Sequence, residues 1–258
     1  MRLAVISPLH RSGATVVTTM LAQAMALTQD LKTMVTYTDK ERVLPMYVGK
    51  EEYTKDKTRS VAQIVELKRV NAISPDELED FAIKVAPNFY LMDTVSNTVL
   101  ESDTKDVQKY VYTKTPADFS VCDISEALDD PHAQELIKAS DAVCFVLNPD
   151  NISIGIYNVW KESSYFPHDK PILVVLNRYD DTIIGVRPFA KLCGIEAQSL
   201  CKIHYNPMIV KACNESFLSD VVPYAYEKDI RVLQLRTDIK EIMSWCTYIT
   251  GRKLRWEK

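Results

Sequence analysis

Gly13 and Thr15 are spaced as they would be in a loop that binds phosphate. They follow a short apolar run at 2–7 and precede a segment with apolar residues at helical spacing. In the pattern G-x-x-x-x-G-K-S/T, Gly13 takes the second glycine position and Thr15 the hydroxyl that contacts Mg²⁺. Pro8 replaces the first glycine and Ala14 the lysine. The group that neutralises the β- and γ-phosphates is therefore missing.

Two interpretations of this loop stay open from the residues alone. In the first, it holds an anion through its N–H groups and the helix N-terminus. Arg11 could then bind phosphate through two parallel hydrogen bonds and partly offset Ala14, or it could be a solvent-exposed arginine. In the second, Ser12 is simply the N-cap of the helix, and Gly13 shapes a tight turn before it.

Composition indicates a soluble protein with a substantial core. The 258 residues are 47% hydrophobic and 26% charged, which suits one large α/β domain or at most two smaller ones. The net charge of −4 gives no general attraction to nucleic acid, so such binding would need a local patch. Without a long apolar segment, a cytoplasmic location is expected.

Cysteines and histidines offer no metal or disulfide framework. The six cysteines include no C-x-x-C pair, and several lie in apolar runs, so buried free thiols are expected. The four histidines share no ligand spacing with one another or with the cysteines. A metal site built from histidine is therefore not expected.

Short apolar runs alternate with helical patterns along the chain. This alternation predicts an α/β fold with a doubly wound, mostly parallel sheet flanked by helices. Strands are expected at 2–7, 33–37, 88–92, 119–123, 142–147 and 171–176. Helices are expected at 14–28, 60–69, 75–85, 103–112 and 224–250.

Residues 1–258 are expected to form one domain, with 224–258 as a C-terminal helix and basic tail. The tail contains Trp256 among basic residues and could lie on an anionic membrane. Packing of the helix on its own sheet is favoured, because acidic residues spread through it would be repelled by anionic headgroups. The charged stretch 39–58 is either a solvated excursion or a partner-binding or switch region.

Several separated segments resemble, in order, one family over residues 1–218. The chain is similar to the ParA/MinD-type ATPases, P-loop NTPases with a deviant phosphate loop, including TadZ/CpaE-like members. Their loop K-G-G-x-G-K-T-T falls on Leu9 to Val16, so both lysine positions are apolar, as Leu9 and Ala14. The other matching segments are Ala117–Asp123, Ala142–Pro149, Leu173–Tyr179 and Ile203–Glu215.

The resemblance implies a site for ATP or ADP, with or without Mg²⁺. Its nucleotide-binding positions fall on Arg11, Ser12, Gly13, Ala14, Thr15, Val16, Asn177, Arg178, Tyr205 and Pro207. Thr15 and Asp123 would hold Mg²⁺, Asp123 through water, and Asp39 would orient the attacking water. Three plainer roles stay open: Asp123 or Thr15 as a helix cap, and Asn177 as a turn-stabilising residue.

The resemblance implies a homodimer that positions or assembles a larger machine for pilus formation, secretion, conjugation or partitioning, with little or no ATP hydrolysis. In the family the lysine at the position of Leu9 reaches the partner's phosphate. DNA or membrane contact is not indicated by the net charge. An active, slow ATPase of the same family is one alternative. A metabolic ligase or kinase on this fold is another, but it would need the lost phosphate-binding lysine.

Overall fold

Eight strands form one sheet in the computed structural model, which describes residues 1–50, 60–96, 98–196 and 199–251. Their order is β3-β4-β2-β5-β1-β6-β7-β8, and every pair is parallel except β3 on β4. The strands are β1 Arg2–Ile6, β2 Thr33–Tyr37, β3 Ile83–Ala86, β4 Phe89–Leu91, β5 Phe119–Ile124, β6 Ala142–Leu147, β7 Ile172–Tyr179 and β8 Leu200–His204. The expected doubly wound, mostly parallel sheet is confirmed.

Helices cover both faces of this sheet. They are α1 Ala14–Gln29, α2 Val43–Tyr47, α3 Val61–Arg69, α4 Glu101–Lys114, α5 Pro131–Ala139, α6 Asn151–Glu162, α7 Val186–Cys193, α8 Pro207–Asn214, α9 Leu218–Tyr226 and α10 Leu233–Thr250. Along β1, Leu3 and Val5 join the core beneath α1, α9 and α10, whereas Ala4 and Ile6 join the core beneath α5 to α7. Burial on both faces explains why the strands are apolar without alternation.

The segment expected to be a helix at 75–85 is different in the structure. A 3₁₀ helix spans Pro75–Phe81, and the chain then enters β3 at Ile83. The capping box between Ser74 and Glu77 is present. The prediction was wrong beyond the first turns because the chain pairs antiparallel with β4, across a turn in which Asn88 has a φ of 58°.

The helix expected over 224–250 is also interrupted. The preceding helix α9 ends at Tyr226, a 3₁₀ turn spans Ile230–Val232, and α10 begins at Leu233. Lys228 takes a left-handed φ of 64°, and the Asp229 carboxylate accepts the Arg231 N–H. These two features end one helix and start the next.

The helix α10 packs on the sheet, as expected. Its buried side chains are Leu235, Asp238, Ile239, Ile242, Met243, Cys246 and Thr247. The Asp238 carboxylate, 1% exposed, accepts the His204 backbone N–H at 2.9 Å and lies 2.9 Å from the His204 ring Nδ1. In the described residues, no helix is both long and apolar enough to cross a membrane.

The expectation for the cysteines is confirmed. All six are free, and five of them are buried, with Cys213 partly exposed. Burial raises the pKa of Cys201 to about 12, and burial also raises the pKa of Cys144 well above its ordinary value. These thiols are therefore core side chains and poor nucleophiles.

We predict that deletions at the C-terminus have sharply different effects. Removing 252–258 should leave cooperative unfolding intact, because that deletion spares every buried side chain of α10. Removing 228–258 should expose the apolar sheet face beneath α10 and cause aggregation. Circular dichroism melts and light scattering measure both results. Soluble, cooperatively unfolding protein without 228–258 would contradict this assignment.

Candidate phosphate-binding site

The loop between β1 and α1 is a closed turn that ends at the helix N-terminus. Arg11 and Gly13 take left-handed φ values of 66° and 90°. The Ser12 hydroxyl donates to the Leu9 carbonyl at 2.8 Å, and the Ser12 N–H points to the same oxygen at 3.3 Å. The loop shape is therefore fixed by its own backbone and by one buried serine.

Gly13, and not Ser12, is the N-cap of α1, and it makes no side-chain capping bond. The interpretation of Ser12 as N-cap is wrong, because its hydroxyl is turned toward Leu9. The first N–H groups of a helix have no intrahelical partner and carry partial positive charge. In this 16-residue helix they stay available to an anion near Ala14, Thr15 and Val16.

Asn177 on β7 holds the loop in place. Its side chain is 5% exposed, and its Nδ2 donates to the Ser12 carbonyl at 2.7 Å. A Cβ added to Gly13 would lie 2.2 Å from the same Nδ2. Gly13 is thus required both by its φ and by the close approach of Asn177. This contact joins Asn177 to the loop after β1, so it does not test the alternative role of stabilising the turn into Arg178. An adenine contact also stays a prediction.

Asp123 lies near the end of β5, beside Thr15. Its carboxyl group is 4% exposed, and burial raises its pKa to about 7, opposed in part by a hydrogen bond from Thr15. The charges of Asp39 and Glu126 raise it further. The structure thus brings Thr15 and Asp123 together, and no cation is among the groups that shift this pKa.

Asp39 follows β2 and lies at the start of α2. Its carboxylate accepts the N–H groups of Glu41 at 3.1 Å and Val43 at 3.2 Å. Beside it, the Thr38 hydroxyl bonds to Ser125 and to the Glu126 carboxylate. Thr38 and Glu126 were not predicted as site residues, although both follow neighbouring parallel strands, where ligands bind in open α/β sheets.

The short helix α2 packs against α1 and α8. Leu44 and Val48 are 1% and 4% exposed, so the solvated-excursion interpretation is wrong for this part of the stretch 39–58. Residues 51–59 of that stretch lie outside the described residues. At Gly49, with a φ of 65°, a Cβ would lie 2.9 Å from the Ser216 carbonyl oxygen. This close approach anchors the chain after α2 against the end of α8.

Tyr47 at the end of α2 was not singled out from the sequence. Burial raises its pKa, the Cys213 thiol adds to that, and the positive charges of Arg178 and Arg11 lower it. Both arginines are exposed and have left-handed φ values of 53° and 66°. The charges of Arg11 and Arg178 therefore both act on the Tyr47 hydroxyl.

Tyr205 and Pro207 lie farther from the loop. They follow β8, where Asn206 caps α8 by accepting the Met208 N–H at 2.8 Å. The strand β8 is three strands from β1, or about 14 Å across the sheet. The contact of these two residues with a nucleotide stays a prediction.

The donor set at Thr15 and Asp123 fits a hard divalent cation completed by water and phosphate. Carboxylate and hydroxyl oxygens are ligands that Mg²⁺ accepts, and a cation would offset the burial of the Asp123 charge. Within the described part of the chain, no cluster of three or more His, Cys, Asp or Glu side chains could hold a metal unaided. A Mg²⁺ ion held by Thr15 and Asp123 would need further ligands, such as water or phosphate oxygens.

We predict that Asp123→Asn stabilises the protein at high pH. The folded pKa of about 7 exceeds the ordinary value of 3.8, so stability falls as the pH rises through about 7. The neutral amide removes this loss, and the free energy of unfolding should rise by a few kcal/mol at about pH 8 but little at about pH 4. Denaturant melts across pH measure it. Asp129→Asn, at an exposed position, is the matched control. If the free energy of unfolding changed with pH in the same way in the wild type and in both variants, the claim that ionised Asp123 destabilises the fold would be wrong.

Solved structures are similar in fold to this chain over most or all of its length. MinD in the MinC:MinD cell division protein complex of Aquifex aeolicus aligns with a TM-score of 0.67 and 15% identity, over 100% of this chain and 98% of that chain. The MinD of Pyrococcus horikoshii complexed with Mg-ADP aligns with a TM-score of 0.67 and 16% identity, over 96% and 98%. A ParA family ATPase from Chlorobium tepidum aligns with a TM-score of 0.64 and 15% identity, over 86% and 91%.

Sequence comparison alone finds no such relation. No family model matches the chain, and no curated protein matches it. The sheet order, the loop between β1 and α1 and the alignment over nearly the full chain instead relate it to solved structures. The protein has the fold of the MinD and ParA ATPases.

Proposed function

We propose that this protein binds ATP or ADP at the loop between β1 and α1 and acts as a positioning or assembly factor with little or no hydrolysis. One observation carries the proposal: the helix N-terminus is uncapped and preshaped by Gly13, while Leu9 and Ala14 supply no charge. Such a loop favours an anion through its N–H groups. It lacks the cation that stabilises charge as phosphoryl transfer proceeds.

Arg11 and Arg178 are the replacement cations in this proposal. Arg11 lies in the loop, Arg178 follows Asn177 in β7, and the charges of both arginines lower the pKa of Tyr47. A guanidinium group can bind two phosphate oxygens at once and stays charged at any physiological pH.

Mg²⁺ bound with the nucleotide would neutralise phosphate charge at this site. Thr15 and Asp123 are the residues that would hold it. Asp123 must lose its proton first, so its pKa of about 7 makes metal binding stronger as the pH rises past neutrality. The solved Pyrococcus MinD with Mg-ADP supports a nucleotide and metal on this fold.

An active, slow ATPase is the alternative that Asp39 and Asp123 permit. The Asp39 carboxylate already accepts two N–H groups at the start of α2. To orient a water molecule, the Asp39 carboxylate would have to break these two hydrogen bonds or accept the water through its remaining lone pairs. A metabolic ligase or kinase is less favoured, because such an enzyme needs a lysine in this loop and the position is occupied by Ala14.

The partner is proposed to be a protein. The MinD that aligns with this chain was solved with MinC, a cell division protein. A second copy of this chain and a component of a larger machine are the partners we infer. Neither DNA nor a membrane is favoured by a net charge of −4.

We predict that nucleotide binding depends on the two arginines and occurs without turnover. Arg11→Ala and Arg178→Ala should each weaken binding of a fluorescent ATP analogue by about tenfold or more, since a charge-assisted hydrogen bond contributes about 1.5–3 kcal/mol. Arg187→Ala on α7 is the matched control. Ala14→Lys should tighten binding by no more than a comparable amount.

Steady-state ATP hydrolysis should stay at background in the same protein. Turnover that is well above background and is lost in Asp123→Ala would establish the slow ATPase instead. Unchanged affinity in both arginine variants would remove the proposed replacement cations.

We also predict that any dimer forms without ATP. Leu9 has no charge with which to reach a partner's phosphate, so apolar and polar surface contacts would have to hold two copies together. Light scattering with and without ATP and Mg²⁺ should give the same mass. A monomer that dimerises only with ATP would contradict this.

A further inference from the structure

His204, the last residue of β8, has its ring oriented by a buried carboxylate on α10. Its Nδ1 lies 2.9 and 3.0 Å from the two oxygens of Asp238, whose side chain is 1% exposed. The same carboxylate accepts the His204 backbone N–H at 2.9 Å and the Gln234 side-chain N–H at 3.1 Å. An ionised carboxylate only accepts hydrogen bonds, so the ring proton lies on Nδ1. The other ring nitrogen, Nε2, then keeps a lone pair.

The Nε2 atom lies near a second carboxylate, which belongs to Asp181. The distance from Nε2 to Asp181 Oδ2 is 4.0 Å. A neutral ring with its proton on Nδ1 has nothing to donate from Nε2, and this separation is too long for a hydrogen bond. Among the described residues, His204 is the only basic side chain within ion-pair distance of Asp181 or Asp238. Two electron-pair donors therefore lie on either side of a short gap that a cation can join.

Local structure places both of these groups. In the sheet, His204 is paired with Tyr179 after a break in the register of β7 on β8, and their rings meet edge-on with centroids 5.2 Å apart. Such breaks redirect side chains and are common beside functional sites. After β7, the Asp180 carboxylate accepts the Thr182 N–H at 2.8 Å in the turn that carries Asp181. His204 is thus held on two sides, whereas the Asp181 side chain, 74% exposed, has room to move.

The chemistry of this pair suits a divalent transition metal. Imidazole nitrogen and carboxylate oxygen are both ligands of Zn²⁺, and tetrahedral bonds of about 2.1 Å would place the two atoms about 3.4 Å apart. A small movement of Asp181 closes the difference from the observed 4.0 Å. Histidines that bind metal generally donate their other ring N–H to a carboxylate or carbonyl, as His204 does to Asp238. The described residues supply no third His, Cys, Asp or Glu ligand, so water would complete the coordination.

We propose that His204 Nε2 and the Asp181 carboxylate bind one divalent transition-metal ion, such as Zn²⁺, and that Asp238 positions the histidine for it. The ion joins the end of β8 to the turn after β7. The site shares no residue with the pair Thr15 and Asp123, so the proposal is independent of nucleotide binding. The spacing of histidines and cysteines does not reveal it, because both partners of His204 are aspartates distant in sequence, Asp238 by 34 positions.

Isothermal titration calorimetry of the untagged protein with Zn²⁺, in the absence of nucleotide, tests the site. One equivalent should bind to the wild type. His204→Gln and Asp181→Asn should each weaken binding by about tenfold or more, since each removes a ligand. His168→Gln is the matched control and should leave the affinity unchanged, because His168 is exposed and also precedes an aspartate, Asp169.

Two further variants test other sources of binding. Cys213→Ser removes the partly exposed thiol, and Asp123→Asn removes the carboxylate beside Thr15. Both should bind Zn²⁺ as the wild type does.

Asp238 acts through His204, so its variant has a second readout. In a long-range ¹H–¹⁵N spectrum of the wild type, the His204 ring should carry its proton on Nδ1, and Zn²⁺ should shift the Nε2 resonance. Asp238→Asn should increase the form protonated on Nε2 and weaken Zn²⁺ binding by about tenfold. A thermal melt verifies folding. If Asp238→Asn does not fold, the exposed Asp181→Asn still decides whether the metal site exists.

Four outcomes would overturn the proposal. The first is a wild type that shows no saturable binding of Zn²⁺ up to about 1 mM. The second is unchanged affinity in both His204→Gln and Asp181→Asn. The third is loss of binding in Cys213→Ser or Asp123→Asn, which would assign the ion to another site. The fourth is a wild-type His204 ring protonated on Nε2, which would remove the positioning role of Asp238.

Discussion

Burial of the sheet on both faces is the constraint on which the site depends. Strands such as β1 and β5 are covered by helices above and below, so their interiors accept few polar groups. Polar side chains are left to the edge where the parallel strands end. Thr38, just after β2, bonds to the Asp123 carbonyl in β5, and Asp123 bonds to Thr15 at the start of α1. From β7, Asn177 bonds to the loop after β1. The same burial that forms the core gives Asp123 its unusual proton affinity.

Much of the architecture follows from local patterns. The six expected strands all form, within three residues at each end, because a run buried on both faces is recognisable from composition alone. The strand β8 and the helices α5 to α9 were not assigned beforehand. β8 contains Lys202 and His204, and its polar side chains are accommodated by Tyr179 and Asp238, which lie far from it in sequence. No local pattern contains that information.

The sequence predicted which residues lie at the candidate site better than it predicted the hydrogen bonds between them. Gly13, Thr15 and Asp123 follow from a pattern, since strand ends in a parallel sheet converge. The orientation of the Asn177 amide could not be predicted from a pattern, because it depends on the Ser12 carbonyl oxygen in the loop after β1. Tyr47 was hidden for a different reason. Its helix is only five residues long, and its flanking charges suggested a solvated stretch.

The bond between Asn177 and the Ser12 carbonyl joins residues 165 positions apart. Contacts of such separation form only after the intervening chain has been ordered, since loop closure has an entropic cost that earlier contacts must offset. The loop after β1 is synthesised before β7, yet its final shape depends on that later strand. During synthesis, an incomplete chain would carry the loop sequence without this clamp. Competence to hold an anion would therefore arise late in folding.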